Sequence, residues 1–420
     1  MSDGIKSFFA DLERFSYRGI KPGLERIQAA LRLLGNPQKK LKIIHIAGTN
    51  GKGSVSSLIA QFLAVSGYAT GLSLSPHVLD YRERAQFYAP DLCRLKEASP
   101  QLISEDELLD IHARLKSVIP DDLGLTYYEW SIALALEFFA SRGFEFAVME
   151  TGMGGRFDAT NACNSILSGI TTIGLDHMKE LGATEDLILG EKLEIIKTDS
   201  DFLFGPRKTE LVTKAKIHCS ARKARYHHVD DFKESWQSVF LTDGAQFQNK
   251  PDYFYENFVF SFSIAKILHE QGVAIDLELL PNLTTYHLPK ARYQVLSDHP
   301  KIILDGAHNE PALKNLKAFL DREYPQGYDL VFGCLSDRDF SALAGIIVPK
   351  NGEKYWAYFD GGPRTPSPES YAALQQNHGG EIVELNDAFK TKLFAATRPI
   401  IVCGSLYLCS QFHGFWTRSA

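Results

Sequence analysis

The sequence predicts a two-domain α/β protein: an N-terminal domain built on a parallel sheet with a P-loop, followed by a smaller, Rossmann-like α/β domain. Three observations carry this. The apolar run "LKIIHIAG" leads into the turn "TNGKGS" and then a helical stretch, the order of elements in a phosphate-binding unit. Apolar strands alternate with helical patterns, as parallel winding requires. Strand, turn and helix then restart at "KIILDGAHNEPALKNLKAFL". A chain of 420 residues exceeds what one core organises, so domains spanning 1–288 and 289–420 are expected, with a hinge at Pro289.

Taken in order, "GLERIQAALRLLGNPQ" spaces Leu24, Ile27, Leu31 and Leu34 as a helix and stops at Gly35 before Pro37. "LKIIHIAG" is a buried strand, the helix from Ser54 to Val65 follows its turn, and "GYATGLSLS" is the next strand. "TYYEWSIALALEFFASRG" is a crossover helix between strands. "FEFAVMETG" and "ILSGITTIG" are further buried strands, and both end in polar or glycine residues, where open α/β sheets gather ligands. From about Asp199 to Tyr286 the pattern weakens, apart from a helix in "YFYENFVFSFSIAKILHEQG". In the second domain "YDLVFGCLS", "KYWAYFD" and "PIIVCGSLYL" read as strands and "GGPRTPSPES" as a loop.

Apolar residues make up 45% and charged residues 23%, the balance of an ordinary soluble domain rather than a disordered or fibrous chain. A net charge of −6 leaves no basic surplus to neutralise nucleic-acid phosphates or an anionic membrane. No apolar run is long enough to cross a bilayer, and the first forty residues lack the compact apolar stretch of a leader, so a cytoplasmic protein without nucleic-acid or membrane partners is expected. Six scattered cysteines show no metal-ligand spacing and read as reduced packing thiols.

The phosphate loop breaks the usual rule, because Gly53 separates Lys52 from the hydroxyl residue Ser54. Its chemistry survives: glycines let backbone N–H groups wrap phosphates, Lys52 adds a point charge, and the helix presents its positive end. A rival guanine-reading motif, "NKPD" at Asn249–Asp252, lacks a buried strand before it and is set aside. Glu150 ends an apolar strand that runs into Gly152, Gly154 and Gly155, which suits a hard cation such as Mg²⁺. By themselves His177 reads as a packing or capping residue, and Lys192 as an exposed helix lysine.

Eight motifs in order, "GTNGKGS", "LSPH", "ERA", "METGMGGRFDATN", "IGLDHMKELG", "EKLEIIK", "DGAHN" and "GSLYL", resemble the folylpolyglutamate synthase and dihydrofolate synthase family, a branch of the Mur ligase superfamily. They cover about residues 23 to 408, and the family's loop carries the additional residue after its lysine. The resemblance implies that Asn50, Gly51, Lys52, Gly53 and Ser54 bind the ATP phosphates, while Ser75, Glu150 and His177 hold Mg²⁺. It further implies that Lys192 is carbamylated to hold a second Mg²⁺; the family usually has Ala-Gly where Leu193 and Glu194 stand. Asn257, Arg292 and Asp305 would contact ATP and His308 would lie near the transferred phosphate, with Ala291 replacing a usual glycine. Arg84, Arg156, Asp158 and Thr160 fall in loops around the pterin substrate.

The activity so implied is ligation of L-glutamate to dihydropteroate, to folate, or to both, through an acyl phosphate, with ADP and phosphate released. Closing of the second domain would exclude water, and a monomer is the expected state. The alternatives are a Mur-type amino-acid ligase, against which "LSPH" and "GGRFDATN" speak, and a P-loop nucleotide switch without an amine substrate.

Overall fold

Strand β1 (Lys42–Ala47) is buried at every residue but its first, and it forms the axis of the larger sheet. The computed structural model describes residues 3–19, 21–90, 99–235, 249–280 and 287–418. By its contacts the chain divides into two compact units, residues 1–246 with 256–288, and residues 247–255 with 289–420.

In the first unit β1 is joined by β2 (Thr70–Ser73), β3 (Gln86–Tyr88), β4 (Gln101–Leu102), β5 (Phe146–Glu150), β6 (Ser165–Ile170), β7 (Asp201–Phe204) and β8 (Arg225–His228). Their order across the sheet is β4-β3-β2-β5-β1-β6-β7-β8. Pairing is parallel from β2 to β8 and antiparallel at the β2–β3–β4 edge. β1 thus lies between β5 and β6, with Ile46 opposite both Glu150 and Gly169. The carboxyl ends of β1, β2, β5 and β6 therefore open on one edge, the place where a doubly wound sheet leaves a crevice.

Helix Lys52–Val65 packs on β1, β2 and β5 and is buried from Gly53 to Val65. Helix Tyr127–Ser141 joins helices Asp3–Ser16 and Glu25–Leu33 in an apolar core on the sheet. Ile5, Phe8, Leu12 and Phe15, at helical spacing, bury the first of these.

The second unit carries β9 (Gln294–Asp298), β10 (Lys301–Leu304), β11 (Asp329–Phe332), β12 (Lys354–Ala357), β13 (Glu381–Val383) and β14 (Ile400–Cys403) in the order β13-β12-β11-β14-β10-β9. Only β9 runs antiparallel among them.

Three expectations change. The weakly patterned stretch after Asp199 contains β7, helix Thr209–Arg222 and β8, a further parallel βαβ unit. Its signal is faint because β7 is four residues long and β8, at the sheet edge, is exposed or half-exposed throughout. "PIIVCGSLYL" is a strand only to Cys403; Ser405 caps helix Leu406–Thr417 by accepting from the Tyr407 N–H. "GGPRTPSPES" likewise opens helix Pro368–His378, with Pro368 at its first turn.

Five cysteines, Cys163, Cys219, Cys334, Cys403 and Cys409, are buried free thiols, and Cys93 lies outside the described residues. The stretch preceding "NKPD" is also outside them. Asp252 of that motif pairs with Arg322 at 2.8 Å, and Lys250 lies over the rings of Phe254 and Tyr293. No described helix is long and apolar enough to cross a membrane.

Candidate active site

The loop after β1 is braced from β6. Thr49 N–H donates to the Thr172 carbonyl at 2.9 Å, and Asn50 N–H donates to Thr172 Oγ1 at 2.9 Å. Thr171 Oγ1 and Thr172 Oγ1 donate to the Asn50 carbonyl at 2.6 and 3.1 Å. Neither threonine was singled out in the sequence, although hydroxyls directly after a buried strand were a usable signal. Gly51 enters the helix at φ 86, and a β-carbon there would come within 2.4 Å of Asn257 Oδ1. Helix Asp252–Glu270 thereby sets Asn257 against the loop.

Two lysines converge on one carbonyl. Lys52 Nζ donates to Gly48 O at 3.1 Å and Thr49 O at 3.3 Å, while Lys192 Nζ donates to the same Gly48 O at 3.0 Å. Lys192 is not the exposed lysine its local sequence suggests; it is 3% exposed. Burial, with the Lys52 charge beside it, lowers its pKa to about 7, although Asp176 and Asp158 act in the other direction. The glycine loop makes room for this: a β-carbon on Gly155 would meet Glu191 O at 2.7 Å and Lys192 Cα at 3.0 Å.

Glu194, which stands where the resemblance predicts glycine, turns away from Lys192. Its carboxylate accepts from Arg222 at 2.6 Å and pairs with Arg156 at 3.3 Å. Arg156 also donates to Glu191 Oε1 at 2.9 Å, so the loop is tied by charge to the helix that carries Lys192.

Glu150 is buried at the end of β5, and its Oε2 accepts from the Ser75 N–H at 2.9 Å. Ser75 Oγ is buried and finds no hydrogen-bond partner among the described residues. His177 occupies the left-handed region at φ 50, and its N–H donates to Asp176 Oδ1 at 2.8 Å. No described group of three His, Cys, Asp or Glu side chains gathers as a metal cage. A buried carboxylate beside an unsatisfied hydroxyl nonetheless fits a hard cation whose remaining ligands are substrate oxygens or water.

Asp158 is buried and accepts from Tyr128 OH, Met153 N–H, Thr160 N–H and Thr160 Oγ1. Thr160 is fully buried, with His45 Nε2 at 2.7 Å from its hydroxyl. Arg84 donates to His77 Nδ1 at 2.9 Å and stacks on Tyr127 at 5.1 Å; burial and then this guanidinium lower the His77 pKa to about 4.

In the second unit the turn after β10 is built on Asp305. Its carboxylate accepts from Tyr293 N–H at 2.9 Å, Ala307 N–H at 2.8 Å and Tyr253 OH at 2.5 Å. Burial raises its pKa against the pull of Tyr253 and Arg292. A β-carbon on Gly306 would lie 2.6 Å from Arg292 Nη1, so arginine and carboxylate share this turn. His308 Nδ1 donates to Gly306 O at 2.6 Å, which places its ring hydrogen on Nδ1. Tyr253 carried no sequence signal, since only the fold brings it to Asp305.

No family model matches the chain. Among proteins of known function it is 29% identical over 421 residues to the folylpolyglutamate synthase of Lacticaseibacillus casei, with 92% of each chain covered. It is 28% identical over 419 residues to the dihydrofolate synthase/folylpolyglutamate synthase of Bacillus subtilis strain 168, with 94% of each covered. Among solved structures, the bifunctional folylpolyglutamate synthase/dihydrofolate synthase of Yersinia pestis, complexed with AMPPNP and a Mn ion, matches with a TM-score of 0.78, 26% identity and 97% of each chain covered. The two-unit α/β fold, the P-loop with its extra glycine and these full-length likenesses agree: the chain is similar over nearly its whole length to folylpolyglutamate synthases and dihydrofolate synthases, a Mur ligase-type family.

Proposed function

We propose that this chain is an ATP-dependent amide ligase that joins L-glutamate to dihydropteroate, to a folate, or to both. A carboxylate is a poor electrophile in water, and phosphorylation by ATP turns one of its oxygens into a leaving group. The substrate carboxylate attacks the γ-phosphorus, ADP departs, the glutamate amine attacks the acyl phosphate and phosphate is expelled. The observation that carries this reading is the pair of lysines on the Gly48 carbonyl at the P-loop. On nucleotide binding Lys52 exchanges its loop carbonyls for phosphate oxygens, and the braced Asn50–Ser54 backbone receives the remainder.

Ser75, Glu150 and His177 are the residues that would hold Mg²⁺, which supplies charge stabilisation along the phosphates when bound. With a pKa near 7, Lys192 is partly neutral at working pH, the form that takes up CO₂ and releases a proton to become a carbamate. That carbamate offers oxygens to a second Mg²⁺, and Glu194, committed to its arginines, leaves room for it. Asn257, Arg292 and Asp305 serve ATP, and His308 serves the transferred phosphate. Arg84, Arg156 and Asp158, the last supported by Thr160, serve the pterin side. The enzyme so read is a cytoplasmic monomer of small-molecule metabolism.

The deciding experiment is ADP release with Mg²⁺, ATP and L-glutamate, adding dihydropteroate to one sample, a reduced folate to another and neither to a third. Turnover with dihydropteroate alone identifies a dihydrofolate synthase, with folate alone a polyglutamate synthase, and with both a bifunctional enzyme. ATP binding without turnover in any sample refutes the reading.

A further inference from the structure

His45 lies in the middle of β1, fully buried, with Met149 of β5 and Ser168 of β6 as its register neighbours. Complete burial in a central strand would suit isoleucine, which stands on either side of it as Ile44 and Ile46. Among the described residues the imidazole has one hydrogen-bond contact, Nε2 to Thr160 Oγ1 at 2.7 Å. Thr160 Oγ1 spends its own hydrogen on Asp158 Oδ1 at 2.5 Å, so the hydrogen between the first two residues is that of His45 Nε2. The tautomer is thereby fixed, and Nδ1 is left as a buried acceptor with no hydrogen-bond partner among the described residues. An orphaned nitrogen in a core is a cost that any aliphatic residue would avoid. The donor on the other side of the ring is what the cost secures.

The donor acts on Asp158. Three hydrogen bonds converge on its Oδ1, from Thr160 N–H, Thr160 Oγ1 and Tyr128 OH, whereas Oδ2 accepts from Met153 N–H. A carboxylate offers about four acceptor positions, so the lopsided arrangement anchors one oxygen and leaves acceptor capacity on the other. We propose that His45 is a positioning residue: through Thr160 it locks the Asp158 carboxylate in the rotamer that offers Oδ2 to the N–H donors of a pterin-type ring. This rests on the folate-ligase reading above. Burial holds the imidazole pKa down to about 3, so the relay keeps one protonation state through the working range.

The test compares the full-length protein with His45→Leu, His45→Gln, Thr160→Val and Thr160→Ser, measuring affinity for dihydropteroate or folate, KM for ATP and kcat. A glutamine amide can donate where imidazole Nε2 does, and serine keeps the relaying hydroxyl. His45→Leu and Thr160→Val are expected to weaken pterin binding about tenfold, the scale of one lost hydrogen bond, with KM for ATP unchanged. Gln and Ser should recover most of that loss, and the Leu/Val double variant should be no worse than Thr160→Val alone, because both act through one hydroxyl. Should His45→Leu not fold, Thr160→Val, which leaves β1 intact, carries the comparison. Equal pterin affinity in wild type and Thr160→Val, or a His45→Gln as impaired as His45→Leu, overturns the positioning role. A wild type that releases ADP with no pterin carboxylate overturns the ligase reading and this proposal together, whereas normal wild-type turnover with unmoved variants overturns this proposal alone.

Discussion

Ala291 sits at φ 56, in the left-handed region where a β-carbon crowds the following carbonyl, and its carbonyl accepts from Gly306 N–H at 2.7 Å in the turn that holds Asp305. The glycine expected there from the family would have no such strain. Left-handed alanine costs about 1–2 kcal/mol, of which glycine's greater freedom in the unfolded chain returns about 0.5–1. Ala291→Gly should therefore stabilise the protein by about 0.5–1 kcal/mol, read as a higher urea midpoint; a lower midpoint would show that the turn relaxes the strain elsewhere. Lys192 supplies a second prediction. Native mass spectrometry in bicarbonate should show one added CO₂ that is absent from Lys192→Met. The modification should increase as pH rises through about 7, because the neutral amine is the reactive form. Lys192→Met should lower kcat by about a hundredfold or more while nucleotide binding persists, the pattern of a group that acts mainly in the transition state. Modification that is insensitive to pH would separate the lysine from this chemistry.

At the scale of elements, the P-loop unit shows how local sequence and tertiary contact divide the work. Strand, glycine turn and helix were legible because each has a local cause: an apolar run, a residue that tolerates φ 86 and a buried helical stretch. Asn257 against Gly51 was not legible, since its helix arrives from two hundred residues away. Gly51→Ala should thus fail for two separable reasons, the left-handed backbone and the collision with Asn257 Oδ1. It should cost about 2–3 kcal/mol of stability and more than tenfold in ATP affinity, and adding Asn257→Ala should return only the collision part of the stability. Full recovery in the double variant would mean that the backbone bears no strain. The same division explains the missed elements. β8 reads "RYHH" and packs at an edge, so no apolar run announces it. Helix Asp3–Ser16 did carry its apolar spacing, in Ile5, Phe8, Leu12 and Phe15, and could have been read. Site residues on loops after strands were legible as positions, but Lys192 was misread as exposed because its burial comes from Gly155 and Gly48, both distant in sequence.

For the whole molecule, buried cations and imidazoles set how stability depends on pH. The unfolded chain titrates His45 near the ordinary 6.5, and the fold holds it at about 3. Between those values the unfolded state binds the extra proton, so stability is lost as pH falls through that window, on the order of a few kcal/mol at its acid end. His112, also lowered by burial, has the same sign. Asp158 and Asp305, raised by burial, work the other way, because their protonation in acid relieves a buried charge. Lys192 extends the slope to the alkaline side. From about 7 to 10.5 the unfolded lysine keeps a proton that the folded one has lost, so stability rises with pH across that range. The sum is a protein whose Tm should climb from pH 5 to pH 9, rather than peak near neutrality. His45→Gln should make the acid limb shallower, with His77 and His112 keeping part of it, and Lys192→Met should do the same to the alkaline limb, of which Lys197, lowered to about 8 by burial, keeps part. A bell centred near pH 7 in wild type would mean that surface ion pairs, and not these buried groups, govern the titration of the fold.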